Sequence, residues 1–281
     1  FSDGAVARRL QRKFGTPYIV AVRNTDINVF MKYRPDLRWL CWDILRNAAQ
    51  VVFLSPLYEA KLKGMVPPDL RADLDKKSRV IPNGLDHYWL ENTNSEERFH
   101  NELRLLYVGD FSRNKNIMGS IEATGLLNEG TPTTLTLAGD GGDGEQMVDD
   151  LLAREECAFV SRIGRIDDHV QLRAIYGAHD ILVMPSFFET FGVTYVEALS
   201  QGLPVVHSRG QGVDGYFPEG SVAEAVDPSD PVSIVEGIRK LSERLPGLRE
   251  QCVHESQRFG WDLISGNYKD LYVDIAREQS K

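Results

Sequence analysis

Apolar and polar positions along the first eighty residues alternate between helical and strand-like spacing. Val6, Leu10 and Phe14 recur at helical intervals and predict a helix with one apolar face, capped by Asp3 and closed by Gly15. Residues 18–22 are a short apolar run that reads as a buried strand, 37–49 as a helix and 51–55 as a second strand. Pro56 suits the first turn of a short helix. Residues 79–81 read as a third strand, ended by the turn signal Pro82, Asn83, Gly84. Residues 85–102 are polar and carry no clear period, which reads as a linker between domains.

Beyond the linker the alternation becomes regular. Strands are expected at 105–108, 134–138, 158–162, 181–185 and 204–207, with helices between them near 117–128, 145–156, 168–178 and 192–201. Strands separated by helices of this length imply βαβ units and a parallel sheet, hence an α/β protein. The run Ile181, Leu182, Val183, Met184 suits a strand buried on both faces. Residues 231–278 read as helical, broken at Pro246 and Gly260. The first part holds only about three strands, few for an independent doubly wound domain, so we expect the start of a longer protein to be missing from this chain.

With 281 residues, 42% apolar and 26% charged, the chain suits one large domain or two modest ones. No run approaches the roughly 18–20 apolar residues of a membrane span. Residues 1–15 lack the layout of a signal peptide. Cys41, Cys157 and Cys252 are scattered and odd in number, which suggests neither a zinc knuckle nor a disulfide framework. A reducing cytoplasm is the plain reading. Histidines are few and unclustered, with no HExxH, which speaks against a metal hydrolase.

The net charge of −9 argues against a general nucleic-acid binder. Its distribution is uneven. Residues 1–80 hold 15 Lys and Arg against 8 Asp and Glu, a net of +7, and the remainder carries −16. A basic segment of this size suits an anionic membrane surface or a phosphate-bearing substrate; a solvated surface with segregated charge is an equal alternative.

Residues 185–206 carry the most chemical information. A strand ends at Pro185, a loop follows, and a helix starts near Gly192. Open α/β sheets bind ligands outside the carboxyl ends of their strands, and a helix N-terminus offers free N–H groups and a positive dipole end to phosphate. Gly192 lets the backbone approach such an anion closely. Glu189 lies in the loop and Glu197 about a turn and a half into the helix. A carboxylate accepts two hydrogen bonds, so each suits a vicinal diol of a sugar. Either glutamate alone is as well explained by the helix dipole.

The string E-T-F-G-V-T-Y-V-E at 189–197 resembles the E-x7-E motif of the retaining glycosyltransferases of family 4, also called glycosyl transferases group 1. The following A-L-S-Q-G-L-P-V-V at 198–206 is similar to that family too. So are V-I-P-N-G-L-D at 80–86, L-Y-V-G-D-F-S-R-N-K-N at 106–116 and D-I-L-V-M-P-S at 180–186. The order and spacing match over about residues 18–275, and several linked motifs in order are a specific signal where one is weak.

The resemblance implies a GT-B fold: two Rossmann-like, doubly wound parallel-sheet domains, the first incomplete here. Residues 1–84 would be the end of the acceptor-binding domain, 85–102 the linker, 103–260 the nucleotide-sugar-binding domain, and 261–281 a helix crossing back to the first. It implies transfer of a hexose-type sugar from a UDP- or GDP-sugar to a sugar or lipid-linked acceptor, with retention and with neither metal nor cofactor. Surface polysaccharide or glycolipid synthesis in the cytoplasm, at the inner face of the membrane, is the setting it suggests.

The same resemblance assigns residues. Glu189 would contact hydroxyls of the transferred sugar and Glu197 the ribose. Backbone amides around Thr190, Phe191, Gly192 and Val193 would meet the diphosphate or sugar. Gly109 would pass close to the donor, and Arg165 and Ile166 would lie against the base. Arg113 and Lys115 would neutralise the leaving diphosphate, where fixed cations lower the barrier. Many relatives carry Arg directly after the Val-Gly of this strand. This chain has Asp110, so Arg113 is expected to supply the second charge. In the first part, Arg23, Asn24 and Asp26 would touch the acceptor; a capped turn built from Asn and Asp explains them equally.

Two patterns compete with this reading. Gly139 to Gly144 satisfies GxGxxG after a strand and before a helix, which would suit a NAD-dependent oxidoreductase. Asp140 and Asp143 would set negative charge beside a pyrophosphate there, so we read it as a tight turn lining the nucleotide cleft. Asp73 and Asp75 match the DxD of metal-dependent glycosyltransferases but lie in a polar stretch before Lys76 and Lys77, which reads as a surface loop. A nucleotide-sugar-binding protein without turnover and a sugar-nucleotide epimerase of the same fold complete the rivals.

Overall fold

The computed structural model describes residues 2–98, 100–218 and 220–279. It divides into two compact units, residues 85–260 and a smaller one made of the segments on either side. The last two residues of the expected C-terminal helix, 280 and 281, lie outside the described residues.

The smaller unit is built on three parallel strands in the order β1-β2-β3: β1 (Ile19–Val22), β2 (Gln50–Phe53) and β3 (Ser78–Val80). Val20 lies beside Val51 and Phe53 beside Val80. Helix α1 (Ser2–Phe14) precedes β1; α2 (Arg38–Asn47) joins β1 to β2, and α3 (Pro56–Met65) and α4 (Pro68–Lys77) join β2 to β3. Val22, Ile44, Leu45, Val51, Phe53, Tyr58, Leu62 and Leu74 form its core, and the Tyr18 hydroxyl donates to the Ile44 carbonyl at 2.6 Å. Ile81, Ile264 and Leu271 build a second small core with Val52, which seats the last helix, given below as α12.

Three expectations need correction here. The apolar stripe of α1 does not face the core: Val6, Leu10 and Phe14 are exposed. The helix packs through small residues instead, since Gly4 lies so near α2 that a Cβ on it would stand 2.9 Å from Ile44 Cγ2. Arg8 pairs with Asp43 at 2.9 Å and Gln11 donates to the Asn47 carbonyl, so polar contacts complete that face. The DxD at Asp73 and Asp75 is not in a loop but inside α4, where proline at the first turn starts the helix. Residues two apart on a helix point to different sides, and these acids pair with different lysines, Lys77 and Lys63. The segment after β1 is a π-helical turn, Asp26–Met31, where no helix was expected.

The larger unit holds six parallel strands in the order β6-β5-β4-β7-β8-β9. They are β4 (Leu103–Val108), β5 (Thr133–Ala138), β6 (Val160–Gly164), β7 (Ile181–Met184), β8 (Val205–Ser208) and β9 (Ala223–Val226). Their connecting helices are α6 (Ile117–Asn128), α7 (Glu145–Leu152), α8 (His169–Gly177) and α9 (Val193–Ser200), followed by α10 (Pro231–Ser242) and α11 (Leu245–Ser256). Every residue of β7 and β8 is buried, as an apolar strand covered on both faces requires. Strand β9 escaped sequence reading because Ala223, Glu224, Ala225, Val226 has little β-propensity; Glu224 is satisfied there by Arg244 at 3.0 Å.

Residues 85–102, read as a linker, are integral to this unit. A short helix α5 (His87–Glu91) buries Trp89 against Tyr176, and truncating such a side chain to alanine costs about 3–5 kcal/mol. Arg98 donates to the carbonyls of Tyr176, His179 and Gln201, which ties the polar stretch to the ends of α8 and α9. Such long-range partners leave no local period in the sequence. The chain then continues through Gly260 into α12 (Trp261–Gln279), which packs as part of the smaller unit.

Candidate functional site

The winding of the larger sheet reverses between β4 and β7, which lie side by side with Leu105 beside Ile181. Loops leaving two such strands diverge to opposite faces and open a crevice at the carboxyl ends, where α/β sheets take their ligands. Here those loops are 109–116 and 185–192.

The two loops are zipped together by one asparagine. Asn114 donates from Nδ2 to the Phe188 carbonyl at 2.9 Å and accepts from the Phe188 N–H at 3.1 Å, while its own carbonyl accepts from the Phe187 N–H at 2.8 Å. Asn116 follows in the left-handed conformation, φ 52°, which asparagine tolerates better than most residues, and donates to the Pro185 and Pro228 carbonyls. This register brings Lys115 Nζ to 2.8 Å from Glu189 Oε2. The other Glu189 oxygen accepts from the Thr190 N–H at 3.0 Å. Gly212 closes the far side: its N–H donates to the Glu189 carbonyl, and a Cβ on it would stand 3.0 Å from Glu189 Cγ.

The start of α9 lies next to this pair. Gly192 precedes it at φ 82°, and no described side chain caps it, so its first N–H groups and the positive end of the helix dipole carry no side-chain partner. Phe191 buries its ring against Tyr216 and Phe259 and can offer only main chain to a ligand. Val193 packs partly into the core. Tyr195 anchors the helix by donating to the Met184 carbonyl at 2.6 Å.

Glu197 is half-buried and accepts from the Tyr176 hydroxyl at 3.1 Å. Burial lifts its pKa above the ordinary glutamate value, against the opposing pull of that hydrogen bond. Tyr176 belongs to α8, one turn after Leu172, and Leu172 lines a cavity of about 190 Å³ at the ends of β4, β5 and β6. Gly109, Arg165 and Ile166 line the same cavity, as do Asp110 and Asp140. The glycine run 139–144 packs its backbone on the 110–113 loop. Phe111 N–H donates to the Gly141 carbonyl, and a Cβ on Gly142 would overlap the Ser112 nitrogen. Its glycines are required by that close approach.

The predicted residues thus fall into three neighbouring groups in this unit. Gly109, Arg165 and Ile166 share the cavity; Lys115, Glu189 and Thr190 form a bonded cluster beside the α9 N-terminus; Glu197 stands with Tyr176. Arg113 is not brought to Lys115. Its side chain is 72% exposed, and its Nε lies 3.9 Å from Asp143 of the glycine turn. Arg165 turns to Asp167 at 2.7 Å. In the smaller unit Asn24 and Asp26 are buried: Asp26 accepts from the Arg23 N–H at 2.8 Å, and Asn24 accepts from Asn28, while Arg23 itself is exposed. Asn114, Asn116, Tyr176 and Gly212 escaped sequence reading. Asn114 and Asn116 flank Lys115, and their bonds to the 185–188 stretch come from far along the chain, so no local signal announced them.

A family model described as glycosyl transferases group 1 matches residues 90–259. Glycogen synthase of Mycobacterium tuberculosis is 26% identical over 178 residues, covering 62% of this chain and 43% of that protein. D-inositol 3-phosphate glycosyltransferase 2 of Catenulispora acidiphila is 34% identical over 125 residues, 43% of this chain and 29% of its own length. The chain therefore spans less than half the length of these curated relatives. Among solved structures, sucrose-phosphate synthase from Thermosynechococcus elongatus superposes with a TM-score of 0.74 at 23% identity, covering 98% of this chain and 72% of that one. Anabaena HepE, solved in complex with UDP, gives 0.74 at 18% identity over 97% of this chain and 76% of its own. Two parallel-sheet α/β units with these structural neighbours make the fold GT-B. With a family model matched over more than half its length, this chain belongs to the glycosyl transferases group 1 family.

Proposed function

We propose that this chain carries the donor site of an enzyme that moves a hexose-type sugar from a UDP- or GDP-sugar to an acceptor, with retention of configuration and without a metal. The observation that supports it is the Lys115–Glu189 pair, set at the reversal of the sheet and beside the uncapped α9 N-terminus. Anabaena HepE has been solved with UDP and with UDP-glucose, which favours a nucleotide sugar at the equivalent place.

In this reading the base lies in the cavity against Ile166 and the ribose hydroxyls reach Glu197. The diphosphate meets the α9 N–H groups and Lys115. Glu189 accepts hydrogen bonds from the sugar and holds its anomeric carbon toward the acceptor. The acceptor oxygen bonds to that carbon as the bond to the β-phosphate oxygen breaks on the same face. The bonding pair leaves with the diphosphate, and a phosphate oxygen takes the acceptor proton. Charge builds on the diphosphate during this step, and fixed positive groups that need no reorganisation stabilise it. Of Arg23, Asn24 and Asp26, Arg23 is the exposed one and is assigned to the acceptor. A sugar or lipid-linked acceptor, and assembly of surface polysaccharide or glycolipid at the inner face of the cytoplasmic membrane, complete the proposal.

Thermal-shift titration with UDP, GDP, ADP and NADH tests the binding step, because a ligand of the native state raises its stability. Stabilisation by UDP or GDP that Glu197→Ala weakens is expected. Stabilisation by NADH alone would overturn the reading. Proton NMR of the product made from an α-linked donor then reads the anomeric configuration, with an α-linked product expected.

A further inference from the structure

We infer that the surface formed by residues 29–39 of the smaller unit, with Lys61 beside it, docks on an anionic lipid bilayer. After β1 the π-helical turn buries Ile27 and Met31 and projects its other side outward. Val29, Phe30, Tyr33 and Trp39 are all exposed there, Tyr33 and Trp39 to 66% each. Four large apolar side chains within eleven residues are unusual for a water-facing surface, where apolar residues ordinarily occur singly.

The charges interleaved with them have one net sign. Lys32, Arg34 and Arg38 are exposed, and Asp36 is the one acid of the segment. Asp36 is occupied by Arg34 at 2.8 Å, which leaves Lys32 and Arg38 as the excess. Lys32 Nζ sits 5.2 Å from the centre of the Tyr33 ring. Lys61, on α3, donates to Asn28 at 2.7 Å, and Lys32 is near enough to help burial lower its pKa. Two lysines that repel one another are relieved by an anion placed against both. Tyr and Trp prefer the level of lipid headgroups, where the ring is apolar and its polar tip stays wet, and Lys and Arg beside them meet anionic phosphates. A protein partner would satisfy the apolar part but gives no reason for cations at this density around the rings. This inference rests on and deepens the membrane setting of the proposed function; the donor-site reading stands or falls separately, since no nucleotide or sugar enters the test.

The test is co-sedimentation of the chain with vesicles of phosphatidylcholine alone and of phosphatidylcholine with 30% phosphatidylglycerol, without nucleotide. Binding to the anionic vesicles is expected, weakened several-fold by 0.5 M salt. Lys32→Glu and Lys61→Glu should each lower the partition coefficient about tenfold or more, as each reverses a charge near the surface. Tyr33→Ser with Trp39→Ser should lower it similarly while the circular-dichroism melting curve stays unchanged, since both side chains are exposed. Absence of binding to anionic vesicles, or binding indifferent to all these substitutions, overturns the inference. So does concentration-dependent dimerisation without vesicles that Trp39→Ser abolishes, which would make this a surface for a second copy of the chain.

Discussion

Lys115 Nζ lies 2.8 Å from Glu189 Oε2, although the two residues stand on different loops and 74 positions apart. With side chains only 22% and 13% exposed, the pair is partly withdrawn from water, and each group sets the charge felt by the other. In the proposed reaction, Lys115→Ala removes the cation assigned to the departing diphosphate. We expect kcat to fall about 10²–10³-fold. Arg113→Ala, whose side chain is 72% exposed beside Asp143, should change kcat less than about threefold. Steady-state transfer assays on both variants check this; equal losses would return Arg113 to the reacting centre.

Glu197 gives a pH dependence with a definite sign. Burial holds its folded pKa above its unfolded one, so the fold favours the protonated form. Its contribution to stability is present below the unfolded pKa and is lost as pH rises through the folded pKa. Glu197→Gln should therefore raise the melting temperature at neutral pH, by about 2 °C, and have little effect in acid. If Glu197 holds the ribose as proposed, the same substitution should weaken UDP or GDP binding about tenfold, because a neutral amide accepts hydroxyls less well. Calorimetric melting and titration across pH read both effects.

Two glycines should separate folding from binding. Gly192 has φ 82°, and a Cβ on it would overlap the Tyr195 ring, itself fixed by its bond to the Met184 carbonyl. Gly192→Ala should cost about 2–4 kcal/mol in urea unfolding. Gly109 lines the cavity, and a Cβ there meets nothing nearer than the Tyr107 hydroxyl oxygen at 3.5 Å. Gly109→Ala should keep the unfolding midpoint within experimental error while lowering donor affinity at least about tenfold, since the methyl takes ligand space.

Asn114 tests whether the crevice needs its fastener. Asn114→Ala removes both side-chain bonds to Phe188, worth about 1 kcal/mol each. With the loops free to part, Lys115 and Glu189 lose their register. We expect kcat/KM for the donor to fall about tenfold, with the melting temperature lowered by about 4–8 °C.

How much of this was readable in advance depended on how local each signal is. Strands β4 to β8 and their helices announce themselves by apolar runs and period, because each is buried on faces that the sequence itself encodes. The short β9 and the segment 85–102 do not, since Glu224 and Arg98 are satisfied by partners far away in the chain. The α1 stripe misled for a related reason: small residues, Gly4 above all, can seat a helix as closely as large apolar ones. At the candidate site, linked motifs singled out Glu189, Glu197 and Lys115, and the structure pairs Lys115 with Glu189 and sets Glu197 against Tyr176. The direction of Arg113 and the bridging by Asn114 were not legible, because side-chain direction in a loop is set by its neighbours; nor was the bond of Tyr176, on α8, to Glu197, on α9, because it depends on how the two helices pack.

The larger unit begins and ends at one point. Leu85 pairs with Gly260 in a parallel bridge, and its N–H donates to the Phe259 carbonyl at 2.6 Å. A module whose two termini touch is a natural cassette. We expect residues 85–260 to tolerate expression by themselves, or rejoining by a short peptide and reopening at a surface loop, without stretching the backbone; soluble expression and a cooperative melting transition check this. Crystals and ligand titrations of this unit alone would then test the proposed donor site directly, and the unit could be exchanged between relatives as a single block.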